Sequence, residues 1–154
     1  MPGTNQDAIG NGPFTAEGRG AMTASISNAM VGLLHRYTGR GPTRARTTIG
    51  TDIIVCVMGA TLTKGEQSLA RDGKAEVVLH SRRAFQDTMQ AEAVGAVQDL
   101  SGRRVTAFMS NNHIDPDLAV EIFILEPLTG GPSDDDGANG VDGHHAFLDG
   151  RPAR

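Results

Sequence analysis

The sequence predicts an α+β fold of two layers, in which a four-stranded, mainly antiparallel sheet carries helices on one of its faces. Two observations lead to this fold. Apolar residues recur at helical spacing in two long segments, whereas four short segments are rich in β-branched residues or alternate between apolar and polar side chains. The connections within each pair of short segments are only long enough for hairpins, so we expect antiparallel pairs. The resulting element order is α-β-β-α-α-β-β.

The first helix is predicted to begin near Thr23 and to end at Gly39. Glycine readily takes the left-handed conformation that closes a helix, and Pro42 prevents the helix from continuing. Five apolar residues at helical spacing form the stripe that is expected to face the core: Ile26, Met30, Leu33, Leu34 and Tyr37.

A β-hairpin is predicted next. Residues Thr43 to Ile49 are rich in threonine, and Gly50 to Asp52 have the composition of a turn. The following run, Ile53 to Met58, is continuously apolar, which is typical of a strand that is covered on both faces. We therefore expect this strand to be the most buried element of the domain.

Two helices are predicted to follow this hairpin. Thr63 and Glu66 have the spacing of a capping box, which begins a short helix that ends at Arg71. A second helix then runs from about Lys74 to Leu100, which makes it about 40 Å long. Since that length exceeds the length of any strand here, we expect one end to overhang the sheet or to pack on a partner chain.

The second hairpin completes the predicted sheet. Residues Arg104 to Ser110 alternate between apolar and polar side chains, and residues Asn111 to Asp117 form a polar loop. Leu118 to Leu125 is again apolar, and Pro127 ends that strand.

The folded domain is expected to span residues 22–128. Residues 1–21 and 129–154 contain few large apolar side chains and many glycines, so both are predicted to be disordered tails that bury too little surface to offset the entropy of ordering. The domain holds 11 basic and 11 acidic residues, so the net charge of −4 comes from the tails. A neutral domain of this kind is unlike a nucleic-acid-binding protein.

The sequence also predicts a cytoplasmic location. Met1 is followed by polar residues and not by the apolar segment of a secretory signal. The longest apolar run, Ile53 to Met58, is far shorter than the ~20 residues of a membrane-spanning helix, which excludes direct insertion by such a helix. The single Cys56 cannot form an internal disulfide, as is usual in reducing compartments, and its apolar surroundings predict an inert buried thiol.

An arginine-rich loop is the main candidate for ligand binding. Arg36, Arg40, Arg44 and Arg46 lie within eleven residues, and Gly41 would let a backbone amide approach a ligand. Guanidinium groups bind the oxygens of carboxylate, phosphate or bicarbonate, so these five residues form a predicted anion site. The alternative is that the loop is only a helix C-cap followed by a solvated strand edge.

A second candidate feature is Arg82, which interrupts the apolar stripe of the long helix. Its spacing from Val78 and Phe85 points it toward the core. A buried arginine requires a carboxylate partner, for which Glu121 or Glu126 is available, and we predict a buried ion pair between Arg82 and Glu121. The alternative is an exposed arginine whose aliphatic stem covers apolar surface.

We predict no catalytic residues, metal or cofactor. His113, Asp115 and Asp117 share a loop in which a metal site is conceivable, but Asp-Pro is a typical turn dipeptide and favours a structural role. The acidic segment from Asp134 to Gly140 fails the spacing of a calcium loop, because Ala138 stands at the fifth position and no glutamate stands at the twelfth.

Several segments together carry a resemblance to a known family: Ile26–Ala29, Gly39–Thr43, Leu62–Ala70, Arg82–Gln86, Leu100–Val105 and Asp115–Phe123. In these motifs the chain resembles the MpsC family, also called YbcI-like, from about Met22 to Leu128. The family is named for a sodium-translocating system that generates a membrane potential. The resemblance therefore implies a link with ion or inorganic-carbon uptake.

Two functions are expected from these observations. The first is a non-catalytic accessory or regulatory module that forms a homo-oligomer, with a dimer favoured, and works with a membrane-protein partner. The second is a small-anion or nucleotide-binding domain, with or without enzymatic activity, that uses the arginine-rich loop.

Overall fold

The computed structural model describes residues 15–128. Three helices and four strands follow one another in the predicted order: α1 (Ala16–Thr38), β1 (Arg44–Ile49), β2 (Ile53–Gly59), α2 (Lys64–Arg71), α3 (Ala75–Ser101), β3 (Val105–His113) and β4 (Leu118–Leu125). The strands form one sheet in the order β1-β2-β4-β3, in which every neighbouring pair is antiparallel. The predicted α+β fold is therefore confirmed.

Helix α1 begins earlier than its apolar stripe suggested. It starts at Ala16 and not near Thr23, and the side chain of Thr15 caps it by accepting a hydrogen bond from the amide of Gly18 at 3.1 Å. The first buried side chain in α1 is Met22, so this first part of the helix has no apolar periodicity from which it could be recognised. Residues 16–21 thus belong to α1, with Thr15 as its N-cap, and not to a tail. The remainder of the two predicted tails, 1–14 and 129–154, lies outside the described residues.

Strand β3 is longer than predicted. The ladder with β4 continues through Asn111 and Asn112 to His113, which pairs with Leu118. Asn111 and His113 are exposed, so their polarity reflects the solvated side of a strand and not a loop. The connection to β4 is accordingly a tight turn, which contains a cis peptide bond between Asp115 and Pro116.

The core lies between one face of the sheet and helices α1 and α3. Side chains of alternate residues on β2 and β4 point into it, as do the apolar stripes of the two helices. Phe123 of β4 is fully buried, and its ring centroid lies 5.1 Å from that of Phe108 on β3. None of the helices in residues 15–128 is both long enough and apolar enough to cross a membrane.

Candidate functional site

The face of the sheet opposite the helices is the most distinctive surface of the molecule. We call it the open face. Because strand residues alternate between the two faces of a sheet, the side chains that are not directed toward α1 and α3 belong to it. Its apolar members are Ile53, Val55, Val57, Met109, Leu118, Val120, Ile122 and Ile124. No helix or strand within residues 15–128 covers this face, which is therefore a contiguous apolar surface.

The strand register arranges these side chains in rows. Val57 is paired with Val120 and Val55 with Ile122, so the two central strands bring branched side chains together. Met109 extends the second row on β3. Val57 is 40% exposed and Met109 is 49% exposed, so each of these two rows presents a large apolar side chain to solvent.

This arrangement corrects our expectation for β2. The continuous run from Ile53 to Met58 predicted a strand covered on both faces, but residues 15–128 cover only one face of it. Ile54, Cys56 and Met58 are fully buried beneath the helices, whereas Ile53 and Val55 are only half-buried. Cys56 is the buried thiol that the sequence predicted.

One end of the open face contains a groove of about 350 Å³. It is lined by side chains of β2, β3 and β4 and by the turn that joins the last two strands: Val57, Asn111, Asn112, His113, Pro116, Leu118, Ala119 and Val120. The Nδ1 atom of His113, one of the lining residues, lies 2.8 Å from the carbonyl oxygen of Pro116. The groove thus offers a mixed apolar and polar surface to a binding partner.

The predicted anion-binding arginines are divided between different surroundings. Arg36 forms an exposed ion pair with Glu92 at 2.6 Å, and Arg40 donates to the carbonyl oxygen of Leu62 at 3.0 Å. Gly41 lies against α1, since a Cβ added to it would be 3.5 Å from the Cβ of His35. Arg36, Arg40 and Gly41 therefore each contact a different part of the molecule.

Arg44 and Arg46 remain together, because alternate residues of β1 share the open face. Arg44 pairs with Gly59 and Arg46 with Val57 on the neighbouring strand. A Cβ added to Gly59 would lie 3.2 Å from Nε of Arg44, so the guanidinium group covers this glycine. Both arginines are exposed, and they give one edge of the open face a positive charge.

Arg82 is buried as the sequence suggested, but its partner is not the predicted Glu121. Its Nε and Nη2 atoms donate to the two carboxylate oxygens of Glu66 at 2.7 and 2.6 Å, and Nη2 also donates to the carbonyl oxygen of Thr61. The capping box explains this choice, because it holds Glu66 in the first turn of α2, beside α3. Burial acts to raise the pKa of Glu66, but hydrogen bonds from Arg82 and Thr63 outweigh it and leave that pKa below its usual value.

Glu121 is instead a buried carboxyl group without an ion pair among the described residues. It is 1% exposed, and its Oε2 atom has no hydrogen-bond partner in residues 15–128. Burial raises the pKa of Glu121 to about 7, because the ionised form loses its hydration. The carboxyl group of Glu121 therefore changes its protonation state near neutral pH.

Glu121 belongs to a polar row that crosses the helix-facing side of all four strands. The register places Thr47 opposite Cys56, Cys56 opposite Glu121, and Glu121 opposite Ser110. Ser27 of α1 joins the row through a hydrogen bond of 2.7 Å between its hydroxyl group and that of Thr47. Sequence reasoning missed this row, although the alternation of each strand placed its members on the buried face.

Asp117 connects the second hairpin to the segment that precedes α2. Its Oδ1 atom accepts hydrogen bonds from the amide and hydroxyl groups of Thr61 at 2.9 and 2.8 Å, and Oδ2 accepts from the amide of Leu62 at 2.9 Å. The other two residues of the predicted loop do not share these contacts: His113 contacts Pro116, and Asp115 is exposed. Within residues 15–128 no group of three metal-ligating side chains lies close enough to hold an ion.

Comparison with known proteins identifies the family. The family model described as "Na+-translocating membrane potential-generating system (MpsC)" matches residues 18–127, which is more than half of the chain. The chain belongs to the MpsC family. It is also similar to the uncharacterized protein YrhF of Bacillus subtilis (strain 168), with 24% identity over 90 residues that cover 57% of this chain and 74% of YrhF. No solved structure matches the chain.

Proposed function

We propose that this MpsC domain is a non-catalytic accessory or regulatory module of a membrane system for ion or inorganic-carbon uptake, and that it works by binding another protein chain through its open face. The main support for this proposal is the open face. Strands β2 and β4 place seven large apolar side chains there, and nothing within residues 15–128 covers them. Apolar surfaces of this kind mark interaction sites, because their exposure to water is unfavourable.

The family description supports the kind of system, since it names Na+ translocation and a membrane potential. An accessory role agrees with a domain that, within residues 15–128, presents an uncovered apolar sheet face. We place the domain on the cytoplasmic side of the membrane, in keeping with its single free cysteine.

Deleting the gene in its native host tests this proposal. We expect deletion to lower the membrane potential measured with a voltage-sensitive dye in Na+ medium, and we expect the wild-type chain supplied in trans to restore it. The same cells in K+ medium are the control, since a module dedicated to Na+ translocation should matter less there. An unchanged potential in Na+ medium would contradict the proposal.

A second candidate function is the binding of a small anion. It is favoured by one observation: Arg44 and Arg46 are both exposed on one edge of the open face. Two guanidinium groups on alternate residues of a strand lie on the same side, where both can reach the oxygens of one phosphate or bicarbonate ion. This site would use two of the four arginines of the predicted anion site.

A further inference from the structure

The open face has the layout of an interface between two copies of this chain. Its centre consists of the apolar side chains of β2 and β4. Its rim is polar on both sides, with Arg44 and Arg46 on β1 and with Asn111 and His113 on β3. Protein interfaces characteristically combine an apolar centre with a polar rim of this kind.

The composition of the central strands also indicates what covers them. Ile53 to Met58 is continuously apolar, and Leu118 to Leu125 is apolar except for Glu121, a composition typical of strands covered on both faces. Helices α1 and α3 supply one cover. The simplest cover for the open face is a second sheet, because two apolar sheet faces pack ~10 Å apart with interdigitating side chains.

Charge decides how two open faces can meet. A two-fold axis perpendicular to the strands would place β1 over β1 with its ends reversed, and would gather the four guanidinium groups of Arg44 and Arg46 from both copies along one edge of the interface. A two-fold axis parallel to the strands places β1 over β3 and β2 over β4. Arg46 then lies level with Asn111 of the second copy, since both residues belong to the row of Val57 and Val120. An amide oxygen accepts hydrogen bonds from a guanidinium group, whereas two guanidinium groups repel each other.

We propose that two copies of this chain form a homodimer by packing their open faces together about a two-fold axis parallel to the strands. The dimer rests on the proposed function, because it names a second copy as the chain that the open face binds. The interface is isologous, so each contact between Arg46 and Asn111 occurs twice. Val57 lies at its centre, opposite Val120 of the second copy.

The size of the open face sets the expected strength of the dimer. Four strands spaced ~4.8 Å apart, with about seven residues each at ~3.3 Å per residue, span roughly 19 by 23 Å. Two such faces in contact therefore remove about 900 Å² of projected area, and side-chain relief raises the accessible area above that value. This lies at the lower end of specific interfaces, which are typically ~1,200–2,000 Å² in total. The dimer is therefore reversible and dissociates on dilution.

Sedimentation velocity of the full chain, from about 1 to about 100 µM, tests the dimer. We expect the wild type to shift from monomer to dimer over this range. Val57→Glu should remain a monomer, because the dimer would bury two carboxylates near its centre, and their loss of hydration costs more than the attraction of the neighbouring Arg46 offsets. Val77→Glu is the matched control: Val77 is 55% exposed on α3, away from the open face, so this variant should dimerise like the wild type. Circular dichroism and thermal melting establish that both variants are folded.

Asn111→Asp tests the direction of the axis. In the proposed arrangement this change creates two exposed ion pairs with Arg46, each contributing roughly 0.2–1 kcal/mol, which tightens the dimer about two- to thirtyfold. Weaker dimerisation of Asn111→Asp would overturn the proposed axis. A wild type that stays monomeric, or a Val57→Glu variant that dimerises normally, would overturn the dimer. If the chain is monomeric while gene deletion still lowers the membrane potential, the dimer is wrong and the proposed function stands.

Discussion

Arg82 of α3 and Glu66 of α2 form a doubly hydrogen-bonded ion pair in which the arginine side chain is 1% exposed and the glutamate side chain 13%. Removing the negative charge would leave a buried guanidinium group uncompensated. We expect Glu66→Gln to lower the free energy of unfolding by about 3–5 kcal/mol, as measured by urea denaturation. Glutamine can still accept the hydrogen bond of a capping box, so this variant isolates the effect of charge.

The exposed ion pair between Arg36 and Glu92 is the matched control for that experiment. Its side chains are 61% and 51% exposed, so water and salt screen the attraction. Glu92→Gln should therefore lower the free energy of unfolding far less than Glu66→Gln does in the same assay. Equal losses for Glu66→Gln and Glu92→Gln would contradict the structural role of the buried pair.

Glu121 makes the stability of the domain dependent on pH. Burial raises the pKa of its carboxyl group from the usual 4.5 to about 7, so the folded state binds this proton more tightly than the unfolded state. The stabilising contribution of Glu121 is thus fully present below about pH 4.5 and is lost as the pH rises through about 7. We expect the ionisation of Glu121 to lower the free energy of unfolding by about 2–3 kcal/mol as the pH rises from 5 to 8.

Glu121→Gln isolates this effect, since glutamine does not titrate. The free energy of unfolding should be measured for the wild type and the variant by urea denaturation at several pH values. We expect the variant to gain stability relative to the wild type by about 2–3 kcal/mol as the pH rises from 5 to 8. Parallel pH profiles for the two proteins would show that the Glu121 carboxyl group has an ordinary pKa.

Asp117 is expected to stabilise the contact between the second hairpin and the start of α2. It accepts three hydrogen bonds from Thr61 and Leu62. Asp117→Ala should lower the free energy of unfolding by about 2–4 kcal/mol, because hydrogen bonds to a charged group are strong and their donors would be left unpaired. Asp115→Ala, at an exposed position in the same turn, is the control and should change stability by less than about 0.5 kcal/mol.

Small-anion binding predicts a thermal shift that depends on Arg44 and Arg46. Phosphate or bicarbonate at 100 times its dissociation constant should add roughly 2.7 kcal/mol of stability to the wild type. The double variant Arg44→Ala/Arg46→Ala should lose this shift, whereas Arg36→Ala should retain it, since Arg36 is engaged with Glu92. A shift that survives in the double variant would place the anion elsewhere.

The fold was predictable because each element has a local signal. The capping box of Thr63 and Glu66, the turn after Ile49 and the alternation that precedes Ser110 all act between neighbours in sequence. The first turns of α1 were missed because they carry no large apolar residue. The end of β3 was missed because Asn111 and His113 are polar on an exposed strand.

The candidate site was predictable only in part, because it depends on contacts between distant residues. The partner of Arg82 could not be deduced, since the packing of α2 on α3 decides between Glu66 and Glu121. The four arginines are close in sequence, but a strand and a helix direct them to different surfaces. The open face follows from the order of the strands, which pairs β2 with β4 and thereby joins two apolar runs.

The central claim is that the open face is the functional surface of this MpsC domain. The most direct test is the membrane potential, in Na+ medium, of deletion cells that express Val57→Glu or Val77→Glu at equal levels. Both variants exchange an exposed valine for glutamate, but only Val57 lies on the open face. We predict that Val77→Glu restores the potential and that Val57→Glu does not. Restoration of the potential by Val57→Glu would contradict the claim.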